Sequence, residues 1–379
     1  FKATPDFTSY KGRIELIRAP YLLEWSKERS IYEPFINEIR ETRHVAPHTI
    51  DVVALWTVLT RLRRPDPSEY PSELAGVIRR LKPLDKAKLY DNGEVPEGLS
   101  TEEKRLLRSC IPQLRDEHSD TLAEFEGFVC CAYEGRRGAS AREIKSIIAE
   151  AAIEKRKFLS PIAIFEALEV LLRNKSVYDF LRLEPDEGYH DCEHFIEEVR
   201  AEYLRWISVE VYDSMGLIEE TEYDRRVEDY FRHVRSYVAG EKIQNTRTGQ
   251  YEDPSAEILE GLEKLMTLRE SPDAFRRNLM TKIAAYSLEH PNMKIDYHEI
   301  FSELFHNLRD SYYKAKAKAL VQLGQYVLLS STDDKTLIPQ HERPRVEKTL
   351  KVMREKYGYI DASAFEAINL VLKNYQDSN

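Results

Sequence analysis

Five consecutive residues, His190-Asp191-Cys192-Glu193-His194, spell HxxEH, the arrangement in which two histidines one helical turn apart bind zinc and the glutamate serves as general base. Projected back from the apolar stripe of Ile196, Tyr203 and Ile207, both histidines fall on the polar face beside Glu197, whereas a catalytic zinc helix needs that face enclosed. In a chain with 10 histidines and many glutamates the match is read as chance, and no metal ligand is assigned. The arginines offer more. Gly138-Ala139-Ser140-Ala141-Arg142 opens a helix, and a first-turn arginine adds its charge to the helix's positive end, a combination suited to a polyphosphate. Arg136 and Arg137 raise the potential nearby. Arg136 to Ser140 also has the look of a basophilic kinase acceptor with Ser140 as target, against the plainer reading of Ser140 as a helix cap. Arg13 introduces a β-branched run, Ile14 to Ile17, that Pro20 closes. Two further basic clusters, Arg61-Leu62-Arg63-Arg64 and Lys314, Lys316 and Lys318, read as solvated helix faces.

The partners such arginines need are missing from the sequence. No GxxxxGK[ST] loop cradles β- and γ-phosphates, no strand-borne acidic pair holds Mg²⁺, and GxGxxG, HRD and DFG are all absent. This stretch is therefore expected to be inactive by itself, with whether it counts as an enzyme left open.

The elements that must position these residues are helical. Glycine is only 14 of 379 residues, and Leu, Glu, Ala, Lys and Arg recur with helical spacing. Tyr21, Leu22, Trp25, Ile31, Tyr32, Phe35, Ile36 and Ile39 form one such pattern, and Val52, Leu55, Trp56 and Leu59 form a second. Between residues 64 and 100 prolines cluster, which suggests an insertion or surface excursion. Ser100 with Glu103 is a capping box, and Ser160-Pro161, Asp253-Pro254 and Ser271-Pro272 are cap-plus-proline helix starts. Ile196, Val199, Tyr203, Leu204, Ile207 and Val211 make a long stripe. Gly358 then separates two final helices, the second capped by Asp361. Strand is expected only near the N-terminus.

Composition narrows the class. The hydrophobic fraction of 42% describes a globular chain, and the net charge of -10 argues against a general nucleic-acid binder. Four cysteines without CxxC spacing, no secretory signal and no apolar run of spanning length suggest a cytoplasmic protein with neither nucleic acid nor membrane as partner.

Phe7 to Ile36, His44 to Pro65, Gly135 to Ile147, Thr248 to Pro254 and Pro272 to Tyr286 together resemble one family, the PrkA-type bacterial serine protein kinases. That resemblance implies a mainly α fold: the last strand of an AAA+ core over 1–18, a helical lid over 19–175 with an insertion around 64–100, and an all-α C-terminal region over 176–270 and 271–379. A chain that starts with Phe one strand before the lid is expected to be the back part of a larger protein. The resemblance implies that Arg13 is the arginine finger reaching a neighbouring subunit's γ-phosphate, and that Arg142 is the sensor-2 arginine contacting nucleotide within its own subunit. It also implies ATP and Mg²⁺ in the intact protein, with none bound to this stretch alone. Neighbouring copies in a homo-oligomer and a protein substrate or partner protein complete the picture. The alternatives are a non-catalytic helical scaffold and a part of an ATP-dependent protease.

Overall fold

Glu28, Tyr32 and Ile36 recur at four-residue spacing and so share one helix face; the helix α1 (Trp25–Arg40) buries all three. The computed structural model describes residues 19–96, 98–116, 133–153, 157–217, 220–244, 251–264, 271–289, 300–301, 319–331 and 335–377. The chain divides into two compact units, the first running to Ile207 and including Tyr357–Ser363, the second comprising Ser208–Lys356 and the residues from Ala364 onward.

In the first unit, β1 (His44–Val45) leads to α2 (Thr49–Leu59), which is apolar on every side and is buried along its length except at Asp51. Such a helix has no polar face to offer water and must sit at the centre of its unit. Around it pack α1 and two later helices, Pro83–Asn92 and Pro161–Leu172.

Residues 64–100, expected as an insertion or surface excursion, are no mere surface excursion, because their helices bury side chains in the unit. α3 (Ser72–Arg80) buries Leu74, Val77 and Ile78, and α4 (Pro83–Asn92) buries Leu89 and Tyr90. The prolines that suggested irregular chain stand at helix starts: Pro83 opens α4 and Pro71 precedes α3. A missing N–H costs nothing there, because the first helical amides have no intrahelical acceptor. α5 (Thr101–Ser109) carries the expected Ser100/Glu103 capping box, and α6 (Ile111–Asp116) follows it.

α7 (Ala141–Ile153) buries Ile144, Ile147, Ile148 and Ala151. β2 (Phe158–Leu159) pairs in parallel with β1, His44 opposite Phe158 and Val45 opposite Leu159. α8 (Pro161–Leu172), capped by Ser160, packs on α7 and α2. The stripe read from sequence is the buried face of α9 (Cys192–Ser214): Ile196, Val199, Tyr203, Ile207 and Val211 are all inside.

The second unit centres on Val227, Tyr230, Phe231, Val234, Leu259, Leu279, Ile283 and Phe301. These come from α10 (Glu220–Ala239), α11 (Ala256–Glu263), α12 (Pro272–Glu289) and residue 301. A bidentate pair, Arg276 Nε and Nη2 to Glu263 Oε1 and Oε2 at 2.7 Å each, ties α12 to α11. Tyr230 also donates to Glu263, and the Arg276 guanidinium lies 4.5 Å over the Tyr237 ring. α11 begins after Ser255, whose hydroxyl accepts from Ile258, two residues beyond the start expected at Asp253-Pro254. α13 (Arg343–Glu355) and α14 (Asp361–Asp377) close the chain.

The fold is mainly α. Strand is not confined to the N-terminal region: besides β1 and β2, an antiparallel pair joins β3 (Ile243–Gln244) to β4 (Tyr251–Glu252). The strand expected around Ile14 lies outside the described residues. Among the described residues, no helix is long and apolar enough to cross a membrane.

Candidate functional site

The site is built on the residues that follow α2. Arg61, expected on a solvated face with Arg63 and Arg64, is instead inside, its side chain only 1% exposed and paired with Glu28, also 1% exposed. Nη1 donates to Glu28 Oε2 at 2.7 Å and Nη2 to Glu28 Oε1 at 2.8 Å, a fork that matches carboxylate geometry. The remaining donors go to main chain: Nη1 to Leu22 O at 2.9 Å, Nε to Ala139 O at 3.1 Å and Nη2 to Ala139 O at 2.8 Å. Tyr32 donates its hydroxyl to Glu28 Oε1. Burial, then the Glu28 charge, hold that phenol well above its ordinary range. Arg61 is inside because it follows a helix buried almost along its whole length, so the chain leaving that helix is still in the interior and its first charge must be neutralised there.

This network grips one loop, residues 133–140. Ala139 donates its amide to Thr60 Oγ1 at 2.9 Å while its carbonyl takes two bonds from Arg61. Gly135 donates to Arg61 O at 3.3 Å and accepts from Tyr21 N at 2.9 Å. Gly138 has φ +126°, and a Cβ there would stand 2.5 Å from Arg61 Cγ and 2.9 Å from Thr60 O. Only glycine fits so close a backbone approach.

The near end of the loop is held by a second buried pair. Lys86 Nζ lies 3.0 Å from Glu134 Oε1, with side-chain exposures of 1% and 4%. The same ammonium donates to Arg63 O at 2.6 Å, and the Arg63 amide donates to Glu134 Oε1 at 3.2 Å. Burial pushes the Glu134 carboxyl up, with Lys86 and Arg63 opposing.

What the loop delivers is the start of α7. Ser140 and Glu143 form a reciprocal cap, Ser140 N donating to Glu143 Oε2 at 2.7 Å and Glu143 N to Ser140 Oγ at 3.3 Å. The Ser140 hydroxyl thus performs the plainer of the two roles read from sequence. Arg142 stands exposed in the first turn, and neither it nor exposed Arg137 forms an ion pair among the described residues. A cationic helix start held by a rigid loop can receive an anion without first breaking a salt bridge. Arg13 and the Lys314, Lys316, Lys318 cluster lie outside the described residues.

His190-Asp191-Cys192-Glu193-His194 does not make the zinc arrangement. His190 has φ +61° and precedes the helix, which begins at Cys192, so the two histidines are not successive positions on one helix face. Asp191 acts as the cap, accepting from His194 N at 3.1 Å, and the His194 ring lies 3.3 Å from Glu197. Burial pushes the Cys192 thiol up to about 12. Among the described residues, no three His, Cys, Asp or Glu side chains converge as a metal site.

Comparison with known proteins places these features. A family model described as the PrkA AAA domain matches residues 1–69, and one described as the PrkA serine protein kinase C-terminal domain matches residues 84–370. The chain therefore carries a match to an AAA domain followed by a match to a C-terminal domain. It belongs to the PrkA family. A curated relative from Bacillus subtilis (strain 168), named ATP-dependent protease PrkA, is 24% identical over 362 residues, which cover 95% of this chain and 50% of the relative. The chain thus spans about half the length of that relative. No solved structure matches. Glu28, Thr60 and Arg61 fall in the AAA match and Glu134 to Ala139 in the C-terminal match, so the buried network bridges the two matched segments.

Proposed function

We propose that this chain is the sensing and coupling portion of a PrkA-type ATP-driven protein. In that reading ATP with Mg²⁺ binds on a core containing a phosphate loop, Arg142 contacts the nucleotide from within the subunit, and Arg13 reaches the γ-phosphate held by a neighbouring copy. An arginine finger of that kind accelerates phosphoryl transfer about 10³- to 10⁵-fold where its contribution is known. The helices of the second unit then engage a protein substrate or partner, and nucleotide occupancy biases their state through the lid.

The observation that carries this reading is the grip of Arg61 on Ala139, three residues before Arg142. A residue meant only to solvate a helix end would not need two buried charges and a glycine at contact distance behind it. The experiment uses protein carrying this chain together with its ATP-binding core. Arg142→Ala is expected to weaken ATP binding with the fold intact, and Arg13→Ala to lower turnover with ATP binding retained. Full ATP affinity in the first variant and full turnover in the second would remove both assignments.

The matched family's description supports protein kinase as the activity, and the relative's printed name supports a protease driven by ATP. Incubation of an unfolded protein substrate with labelled ATP separates them. Label transferred to serine with the substrate intact favours the kinase, and acid-soluble peptides formed only with ATP favour the protease.

A further inference from the structure

Leu172 ends α8 and Cys192 begins α9, and within the first unit these helices and the segment joining them leave an open groove of about 980 Å³. Glu169 and Leu172 supply one wall. Cys192, Ile196 and Arg200, each four residues from the next and so on one helix face, supply the other. Leu181 and Ile196 are buried, and with half-buried Leu172 and Leu183 they form an apolar floor. The groove is held in shape by bonds that leave the rest of its rim free. Arg200 Nη2 binds Glu169 Oε1 at 3.0 Å and so joins the two walls. Arg182 donates to the carbonyls of Lys175 and Ser176, and Trp56 Nε1 donates to Cys192 O at 3.3 Å, which anchors the start of α9 on α2. A groove fixed in this way needs little ordering when it binds.

The rim carries unmatched charge of both signs. Arg173 and Lys175, just past the end of α8, line the groove, are exposed and have no carboxylate at ion-pair distance among the described residues. Glu184 and Glu193, on the approach to α9 and in its first turn, also line it, are exposed and have no cation there. We infer that this groove binds a short segment of a partner protein chain. An apolar side chain of that segment sits on Leu172, Leu183 and Ile196. An acidic residue on one flank meets Arg173 and Lys175, and a basic residue on the other meets Glu184 and Glu193.

Other occupants fit the rim less well. A nucleic acid brings only phosphates, which Glu184 and Glu193 would repel, and an uncharged apolar molecule would leave all four rim charges unmatched. A polypeptide is the polymer that sets apolar side chains beside charges of both signs. Contact with the floor supplies affinity, while the rim charges fix the direction in which the segment crosses the groove. The inference rests on the proposed action on a protein substrate for the class of partner. The nucleotide contacts proposed for Arg13 and Arg142 take no part in it.

The test sets the full chain against an array of synthetic peptides in which a central leucine is flanked by every combination of glutamate, lysine and alanine. Peptides with glutamate on one side and lysine on the other are expected to bind best, in one order of the two charges, and serine in place of the leucine should remove binding. The double variant Arg173→Glu with Lys175→Glu changes exposed side chains only, and its circular dichroism should match the parent's. It should bind the parent's preferred peptide at least about tenfold more weakly, since solvated pairs are lost and like charges meet, and should prefer lysine where the parent prefers glutamate. Arg142→Ala should bind the peptides as the parent does, so failure of the nucleotide assignment and failure of this one are read separately. The inference is overturned if no peptide binds better than the all-alanine sequence, if serine replaces leucine without loss, or if the double variant keeps the parent's preference. Best binding by glutamate on both flanks overturns it by making the groove a plain anion site. A parent dimer that the double variant turns into a monomer overturns it by making the occupant a second copy of this chain.

Discussion

Replacing Glu28 by leucine removes the carboxylate from a pair in which each side chain is 1% exposed. Arg61 would keep its bonds to Leu22 and Ala139 but would carry an uncompensated charge in the interior, and the Tyr32 hydroxyl would lose its acceptor. Breaking a buried pair on one side costs about 3–5 kcal/mol. For a unit of this size that corresponds to a fall of about 6–20 °C in its melting temperature. Arg61→Met should cost as much, since it strands the Glu28 carboxylate and takes two donors from Ala139 O. The double variant Glu28→Leu with Arg61→Met strands no charge, and apolar replacement of a whole buried pair is often neutral. It should recover most of the loss, giving a coupling energy above about 2 kcal/mol in a urea-unfolding cycle. On the proposed role of Arg142, and in protein that also carries the ATP-binding core, the stable double variant still lacks the donors that hold Ala139, so nucleotide affinity should stay low while the fold returns. Additive costs in the cycle would refute the pair as the central tie of the first unit. Recovery of affinity together with stability would refute its role in placing α7.

Three other outcomes follow from the same geometry. Gly138→Ala should cost at least about 2 kcal/mol, because its Cβ would meet Arg61 and Thr60, whereas Gly93→Ala, also at positive φ but facing open space, should cost only about 1 kcal/mol; equal losses by urea unfolding would contradict the close approach. Cys192, its thiol raised to about 12, should resist alkylation in the native protein at about pH 8 and react after denaturation, which peptide mass mapping reads directly. His44, His190 and His233 are each held low chiefly by burial, so as pH falls below about 6.5 the unfolded chain binds protons that the native state refuses, and stability drops by at most ~1.4 kcal/mol per pH unit for each ring. Asp85, Glu134 and Glu198, held high by burial, work in the opposite sense at lower pH, and a urea midpoint that rises between about pH 7 and about pH 5.5 would mean that they outweigh the histidines.

Much of the helical framework was legible from local rules. Helix faces, the Ser100 and Ser160 caps and the start at Ser271-Pro272 depend on a few neighbouring residues, and the structure has them. The prolines of residues 64–100 misled because the same residue ends a helix or begins one, and the choice depends on whether the following face finds a core. His190-Asp191-Cys192-Glu193-His194 reads as a chance match in sequence, and the structure supplies a local reason that the projection of a continuous helix through both histidines lacks. Spacing of four residues means one helical turn only inside a helix, and this helix starts two residues late.

The sequence by itself determined a mainly α chain of the PrkA type with a cationic start to α7, because periodicity, capping and family wording are all written along the chain. Tertiary structure decided which cations are buried and which are left open. Arg61 and Arg63 are two residues apart and look alike in sequence. One meets Glu28 across 33 positions and is neutralised, while the other ends with a nitrogen that no group among the described residues satisfies. A charge's role depends on the dielectric and the partners that distant segments bring to it, and no local pattern carries that information.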